Sequence, residues 1–165
     1  MVDLNKEIVT LPAYRAIGLK WDGPYEEVPE LKKIIDRMSQ KIDEVDAIEP
    51  DIQLGLSYHL RPDGFVHYSS YEVDEDHPIP EGMVDIKIPE LTYLKVHHRK
   101  NQNIGETYDK IYQWIMECDY KPYEEAGKTY YDPLPIKHER YPEEREFDNP
   151  HFDILIPIIK KDQQS

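Results

Sequence analysis

The first quarter of the chain combines one extended stretch with one helical stretch. Apolar residues between Glu7 and Trp21 predict a strand, with Pro12 placing its start at an edge of the sheet. Asp22-Gly23-Pro24 predicts a turn. From Glu26 to Val45 apolar side chains recur every three or four positions, which predicts a surface helix with one buried stripe.

A hairpin is predicted next. Apolar and polar residues alternate from Asp51 to Leu60, which predicts a strand with one buried face. Arg61-Pro62-Asp63-Gly64 has turn chemistry, and Phe65 to Val73 is the predicted returning strand. An acidic, proline-rich connector follows.

The same order then restarts. The predicted elements are a strand at Asp85 to His98, a helix at Ile104 to Met116, a strand within Thr129 to Tyr141 that is clearest from Leu134, and a closing strand at His151 to Lys160. The acidic stretch Pro142 to Asn149 is predicted to be a hairpin loop.

This order predicts an α+β fold in one domain over residues 1–165. Its two βαββ repeats, about 6–74 and 84–160, would be related by a pseudo-two-fold axis. Each repeat would place one helix on antiparallel strands, with a ligand groove between the halves.

Composition narrows the range of partners. The formal net charge of −14 argues against nucleic acid and against an anionic membrane surface, while 18 aromatic residues argue for a folded chain. The chain has one cysteine, Cys118, and its sequence shows neither a secretory signal nor an apolar run of membrane-spanning length. We therefore expect a cytoplasmic protein.

No cofactor or metal site is predicted. His97 and His98 are neighbours on a strand and face opposite ways, and no His/Cys cluster has zinc-like spacing. Neither a phosphate-binding glycine loop nor a nucleophile elbow is present.

Four segments together resemble the GyrI-like effector-binding family. They are Tyr71 to Gly82 with the following Ile88-Pro89, Thr107 to Ile115, Glu139-Arg140-Tyr141, and Asp153 to Ile158. The resemblance covers roughly Glu7 to Lys160 and implies a domain like the effector portion of AraC- and MerR-type multidrug regulators. Because no helix-turn-helix segment is left over, it implies a stand-alone member. We expect this member to be a monomer.

The resemblance also implies a site. Members bind lipophilic, often cationic, compounds between aromatic walls and a buried carboxylate, and Glu139 matches that carboxylate. Strand alternation places Tyr141 on the same face as Glu139. The other predicted ligand-binding residues are Trp114, Tyr68, Tyr71, Tyr58 and Trp21.

Two of these assignments are restricted by geometry. Tyr68 and Tyr71 face opposite ways, so at most one of them lines the groove. On the predicted second helix, Tyr108 and Tyr112 follow the apolar stripe, which favours packing over a place in the aromatic wall, whereas Trp114 lies off the stripe and is the better wall candidate. The alternative for Glu139 is an ordinary solvated strand residue.

Three functions follow from the resemblance. The first is binding of lipophilic, cationic small molecules for sequestration or sensing. The alternative is hydrolysis of cyclopropane-containing genotoxins, with Glu139 and Tyr141 as catalytic residues. The third is inhibition of DNA gyrase by an acidic surface.

Overall fold

The computed structural model describes residues 6–145 and 150–162, so part of the predicted loop 142–149 lies outside the described residues. Its elements in chain order are β1 (Lys6–Leu11), β2 (Tyr14–Pro24), α1 (Val28–Gln40), β3 (Ile52–Arg61), β4 (Gly64–Val73), β5 (Val84–Ile88), β6 (Leu91–His98), α2 (Ile104–Glu117), β7 (Tyr120–Pro122), β8 (Ile136–Pro142) and β9 (Phe152–Lys160).

The strands form one antiparallel sheet in the order β1-β6-β9-β8-β3-β4-β2-β5, and β7 pairs with β9. The predicted sheet-rich α+β architecture with two helices is therefore confirmed. The predicted internal repeat, its pseudo-two-fold axis and the domain limits stay predictions.

Both helices pack on the same face of this sheet. Met38 of α1 packs with Tyr71 of β4. Across the sheet, Ser69 of β4, Gly55 of β3 and Glu139 of β8 lie side by side in register, and Glu139 is opposite Ile154 of β9. Ile154 packs with Ile111 and Ile115 of α2. We call this side the helix face; β3 and β8 cross it between the two helices.

A separate apolar cluster covers the opposite side, which we call the helix-free face. Its buried members all lie on strands; they are Ala16, Leu54, Leu56, Tyr58, Ile88 and Ile136. The segment 123–135 contributes Tyr123 and Tyr130 to this cluster.

Two predicted strands are each divided by a proline. The stretch Glu7 to Trp21 is β1 and β2, which separate after Leu11, and Asp85 to His98 is β5 and β6, which separate at Pro89-Glu90. Proline lacks the backbone donor that a strand interior needs, so each stretch breaks there. The predicted turn at Asp22-Gly23-Pro24 is wrong, because these residues end β2 opposite β4.

Two other predictions need correction. The helix is shorter than Glu26 to Val45: α1 ends at Gln40 and is flanked by single 3₁₀ turns. The strand at Asp51 to Leu60 is buried on both faces rather than one. Its polar side chains lie on the helix face, where Gln53 donates to the carbonyl oxygen of Ile35 in α1.

Among the described residues, no helix is long and apolar enough to cross a membrane.

Candidate functional site

The floor of the groove between α1 and α2 carries one carboxylate, that of Glu139. This residue sits in β8, opposite Gly55 of β3 and Ile154 of β9. Its side chain therefore rises from the middle of the sheet on the helix face. It lies deep in the protein yet is only half-buried, because part of it opens into the groove.

Two tyrosine hydroxyls donate hydrogen bonds to this carboxylate. Tyr108 of α2 donates to Oε2, and Tyr141 of β8 donates to Oε1. Alternation along β8 brings Tyr141 beside Glu139, as the sequence predicted. Tyr108 arrives from α2, which starts at Ile104 because the Asn103 side chain accepts a hydrogen bond from the Glu106 amide at 3.0 Å.

Burial raises the pKa of Glu139, whereas the two tyrosine hydrogen bonds and the charge of Lys137 lower it. The pKa of Tyr108 and that of Tyr141 lie well above the ordinary value, because both phenols are buried and face the Glu139 charge. The phenols therefore stay protonated at neutral pH and act as donors.

The carboxylate is held by neutral donors, not by a cation. Among the described residues no lysine or arginine forms an ion pair with Glu139; Lys137, which acts on it at longer range, pairs with Asp132 at 3.4 Å. The Lys137 ammonium also lies 5.2 Å from the ring centroid of Tyr108. When Glu139 is ionised, its charge is therefore hydrogen-bonded but not neutralised by direct contact with a cation.

Gly55 makes room for this arrangement. A Cβ at this position would lie 3.0 Å from the Tyr141 ring and 3.1 Å from the His67 ring. Behind the ring, buried Gln53 accepts a hydrogen bond from Arg145, whose guanidinium lies 4.9 Å from the Tyr141 ring centroid. The Tyr141 ring is therefore fixed from below and from one side.

The groove has a volume of about 750 Å³, and aromatic rings line its inner part. Phe152 lies 4.7 Å from Tyr141 and 4.9 Å from His98, centroid to centroid. His98 is buried, which lowers its pKa, and its Nδ1 lies 2.9 Å from the Thr107 hydroxyl. A neutral His98 can line an apolar slot without adding charge.

The mouth of the groove is built from the two helices and is mixed in charge. Lys32, Lys33 and Asp36 come from α1, and Ile104 comes from the start of α2. Lys33 pairs with Glu30 at 3.3 Å, and both side chains are well exposed. Water and salt screen such exposed charges, so the charges at the mouth should affect a ligand less than the carboxylate on the groove floor.

The predicted site residues divide between different places. Glu139 and Tyr141 lie together in the groove. Tyr71 is on the helix face but is buried with Met38 under α1, and Trp21 lies against Phe65 at 5.1 Å.

The other three lie elsewhere. Tyr58 and Tyr68 belong to the helix-free face, which confirms that Tyr68 and Tyr71 point opposite ways. Trp114 stacks on Tyr120 at 6.5 Å and is absent from the groove lining within the described residues.

Sequence reasoning missed Tyr108, His98 and Phe152. Tyr108 was interpreted as packing because it follows the apolar stripe of α2. A signal was available, since a buried tyrosine hydroxyl needs a polar partner. His98 and Phe152 reach the groove because β6 and β9 are neighbours, with these two residues in register.

A family model for integron-associated effector-binding proteins matches residues 7–158. The chain belongs to this family, Cass2. A curated relative, the transcriptional regulator BrlR of Pseudomonas aeruginosa, is 28% identical over 136 residues, which is 79% of this chain. The chain spans about half of that relative's length (49%). The predicted effector-domain resemblance is therefore confirmed.

Solved structures share the fold. The C-terminal domain of EcmrR has a TM-score of 0.66 at 14% identity, with 95% of this chain and 98% of that chain covered. SAV2435 bound to tetraphenylphosphonium has a TM-score of 0.64 at 10% identity, with 94% of each chain covered. At these identities the similarity establishes the fold alone.

Proposed function

We propose that this protein binds lipophilic, positively charged small molecules in the groove between its two halves, with Glu139 as the counter-charge. The observation that carries the proposal is a deep carboxylate that two neutral phenols hold in place and that opens into an aromatic groove. Burying an ionised carboxylate without a cation is costly. A ligand cation that reaches Glu139 therefore supplies the partner that this carboxylate lacks.

The groove suits a delocalised cation. Such a cation loses little hydration on entering an apolar slot, and aromatic faces add roughly 0.5–2 kcal/mol of cation–π attraction. Tyr141 and Phe152 present such faces next to the carboxylate. The structural relative SAV2435 with bound tetraphenylphosphonium supports the same choice of ligand class.

The test is calorimetric titration with tetraphenylphosphonium of the wild type, Glu139→Gln and Glu90→Gln. Glu90 is an exposed acid in the turn before β6, so its substitution makes the same change in net charge away from the groove. We expect Glu139→Gln to weaken binding roughly 10- to 100-fold, as loss of one charged interaction predicts, and Glu90→Gln to leave binding unchanged. Absence of binding to the wild type, or equal loss in both variants, would overturn the proposal.

The pH dependence gives an independent check. Tetraphenylphosphonium has no titratable group, so any dependence belongs to the protein. Binding should weaken as the pH falls through the raised pKa of Glu139, because the protonated carboxyl carries no counter-charge. Glu139→Gln should lose this dependence.

The raised pKa of Glu139 supports hydrolysis as a second candidate. A carboxylate with a raised pKa is a stronger base and can accept a proton from water during attack on a strained ring. Turnover of a cyclopropane-containing substrate that Glu139→Gln abolishes is the expected result; binding without turnover leaves sequestration or sensing. Gyrase inhibition, the third function, stays a prediction that a supercoiling assay checks.

A further inference from the structure

A second cavity lies on the helix-free face, on the other side of the sheet from Glu139. It has a volume of about 210 Å³ and opens between the sheet and the segment 123–135. Its lining includes Tyr58, Tyr68, Tyr123, Ile88, Ile136 and His138. His138 and Glu139 are consecutive in β8, so one strand carries the polar centre of each cavity to opposite faces.

The polar centre of this cavity is a buried pair. Tyr58 and His138 are 7% and 3% exposed, and the Tyr58 hydroxyl lies 3.1 Å from His138 Nε2. Within the described part of the chain, His138 Nδ1 is buried without a hydrogen-bond partner. Buried polar atoms in folded proteins rarely lack a partner in the protein or in ordered water.

Counting hydrogens defines what this pair still needs. A neutral imidazole has one donor and one acceptor nitrogen. If Tyr58 donates to Nε2, then Nδ1 carries a hydrogen to donate and the phenol oxygen can accept. If Nε2 donates instead, Nδ1 accepts and the phenol hydrogen is available. Either tautomer leaves one donor and one acceptor unused.

The floor of this cavity is uncharged. Burial lowers the pKa of His138 to about 3 and raises that of Tyr58 well above its ordinary value, so both are neutral at pH 7. Charged residues are at the rim, where Lys128 pairs with Glu125 at 3.0 Å. A charged ligand on this floor would lose hydration without gaining an opposite charge.

Size and polarity then define the occupant. An apolar cavity of roughly 150 Å³ accepts one benzene ring, so this larger space accommodates one ring or two fused rings. We propose that this cavity is a second ligand site, separate from the groove, for a neutral aromatic molecule that presents a hydrogen-bond donor and an acceptor to Tyr58 and His138.

Benzamide is a suitable probe, because it is neutral, has one ring and carries both a donor and an acceptor. In a titration of the full chain followed by backbone amide NMR, we expect saturable shifts at Tyr58, Ile136 and His138. Saturating the groove with tetraphenylphosphonium should leave these shifts in place. Benzoate, with the same ring but a negative charge, should bind at least ~10-fold more weakly.

Two variants locate the site. His138→Phe keeps an aromatic ring but removes the polar partner, and should weaken benzamide binding by roughly 10-fold, the effect of one hydrogen bond. Leu60→Trp fills the cavity from its half-buried lining and should abolish binding even if His138→Phe fails to fold.

Three results would overturn the proposal. One is the absence of benzamide shifts up to its solubility limit, which would leave water as the occupant. The second is displacement of benzamide by tetraphenylphosphonium, which would place both in one site. The third is unchanged benzamide binding in Leu60→Trp.

Discussion

Replacing Tyr108 by phenylalanine is the most direct test of how the groove holds its carboxylate. The substitution keeps the ring on α2 and removes the hydroxyl that donates to Glu139 Oε2. Tyr141 remains as a donor to the other oxygen. Tyr112, one turn further along the same helix, is 38% exposed, so Tyr112→Phe is the matched control.

The expected cost depends on the charge of Glu139. A hydrogen bond to a charged group contributes about 1.5–3 kcal/mol, and a neutral one about 0.5–1.5 kcal/mol. Tyr108→Phe should therefore lose about 1.5–3 kcal/mol of unfolding free energy where Glu139 is ionised. For a chain of this size that is a decrease in Tm of roughly 3–12 °C. Exposed Tyr112→Phe should stay within ~0.5 kcal/mol of wild type.

The sign of the pH dependence follows from proton binding. The pKa of Glu139 in the folded protein is above its ordinary value, so the folded chain binds more protons than the unfolded chain between the two values. Its contribution to stability therefore falls as the pH rises through that window and is constant above it. The Tyr108 hydroxyl limits this loss of stability because it favours the ionised form of Glu139. Its removal should therefore deepen the loss and extend it to higher pH.

Urea unfolding of the wild type and both variants from pH 4 to pH 9 measures these differences. Dilute samples are needed near the isoelectric point of about 4.8, where association is favoured. A Tyr108→Phe penalty that is the same at both ends of the range would refute the idea that this hydroxyl stabilises a charge. An equal loss of unfolding free energy in Tyr112→Phe would refute the assignment of the stabilising hydroxyl to Tyr108.

Two further substitutions test the supports of the fold and the site. Gly55→Ala places a methyl group 3.0 Å from the Tyr141 ring and 3.1 Å from the His67 ring. We expect urea unfolding to show a loss of about 1–3 kcal/mol of unfolding free energy, and calorimetry to show weaker tetraphenylphosphonium binding. Unchanged binding would contradict the role of this glycine. Arg15→Lys removes the planar group that donates to Asp85 at 3.0 Å and to three carbonyl oxygens of the connector after β4. Thermal unfolding should show a loss of at least ~1.5 kcal/mol of unfolding free energy. A Tm equal to that of wild type would show that a point charge is enough.

Local patterns predicted the elements well because those elements follow local rules. The two amphipathic helices and the hairpin around Pro62-Asp63 were found from spacing and turn chemistry alone. The divisions at Pro12 and Pro89 were missed, although in each stretch the proline separates two strands. The short strand β7 was missed because three residues carry too little periodicity.

The polar face of β3, which was expected to face solvent, shows a different limit of prediction from local patterns. The alternation of polar and apolar residues was interpreted as a strand with one solvent-facing side. Gln53 and Ser57 of β3 are instead buried, together with His67 of the neighbouring strand β4. Ser57 and His67 share a hydrogen bond at 2.8 Å, and Gln53 bonds to Ser69 at 2.9 Å. The polar positions inside β3 are Gln53, Ser57 and His59, and none of them is Asp, Glu, Lys or Arg. This absence was the available sign of a buried polar network instead of a solvent-facing strand.

The groove itself depends on sheet order, which local patterns do not contain. Glu139 could be paired with Tyr141 because both lie on one strand, two residues apart. Tyr108 meets them only because β8 lies between β3 and β9 while α2 packs across β6 and β9. The same order sends Tyr58 to the other face and leaves Trp114 stacked on Tyr120 of β7 instead of lining the groove. An aromatic count along the chain therefore predicts that a cavity has aromatic walls, but the strand order decides which rings form them.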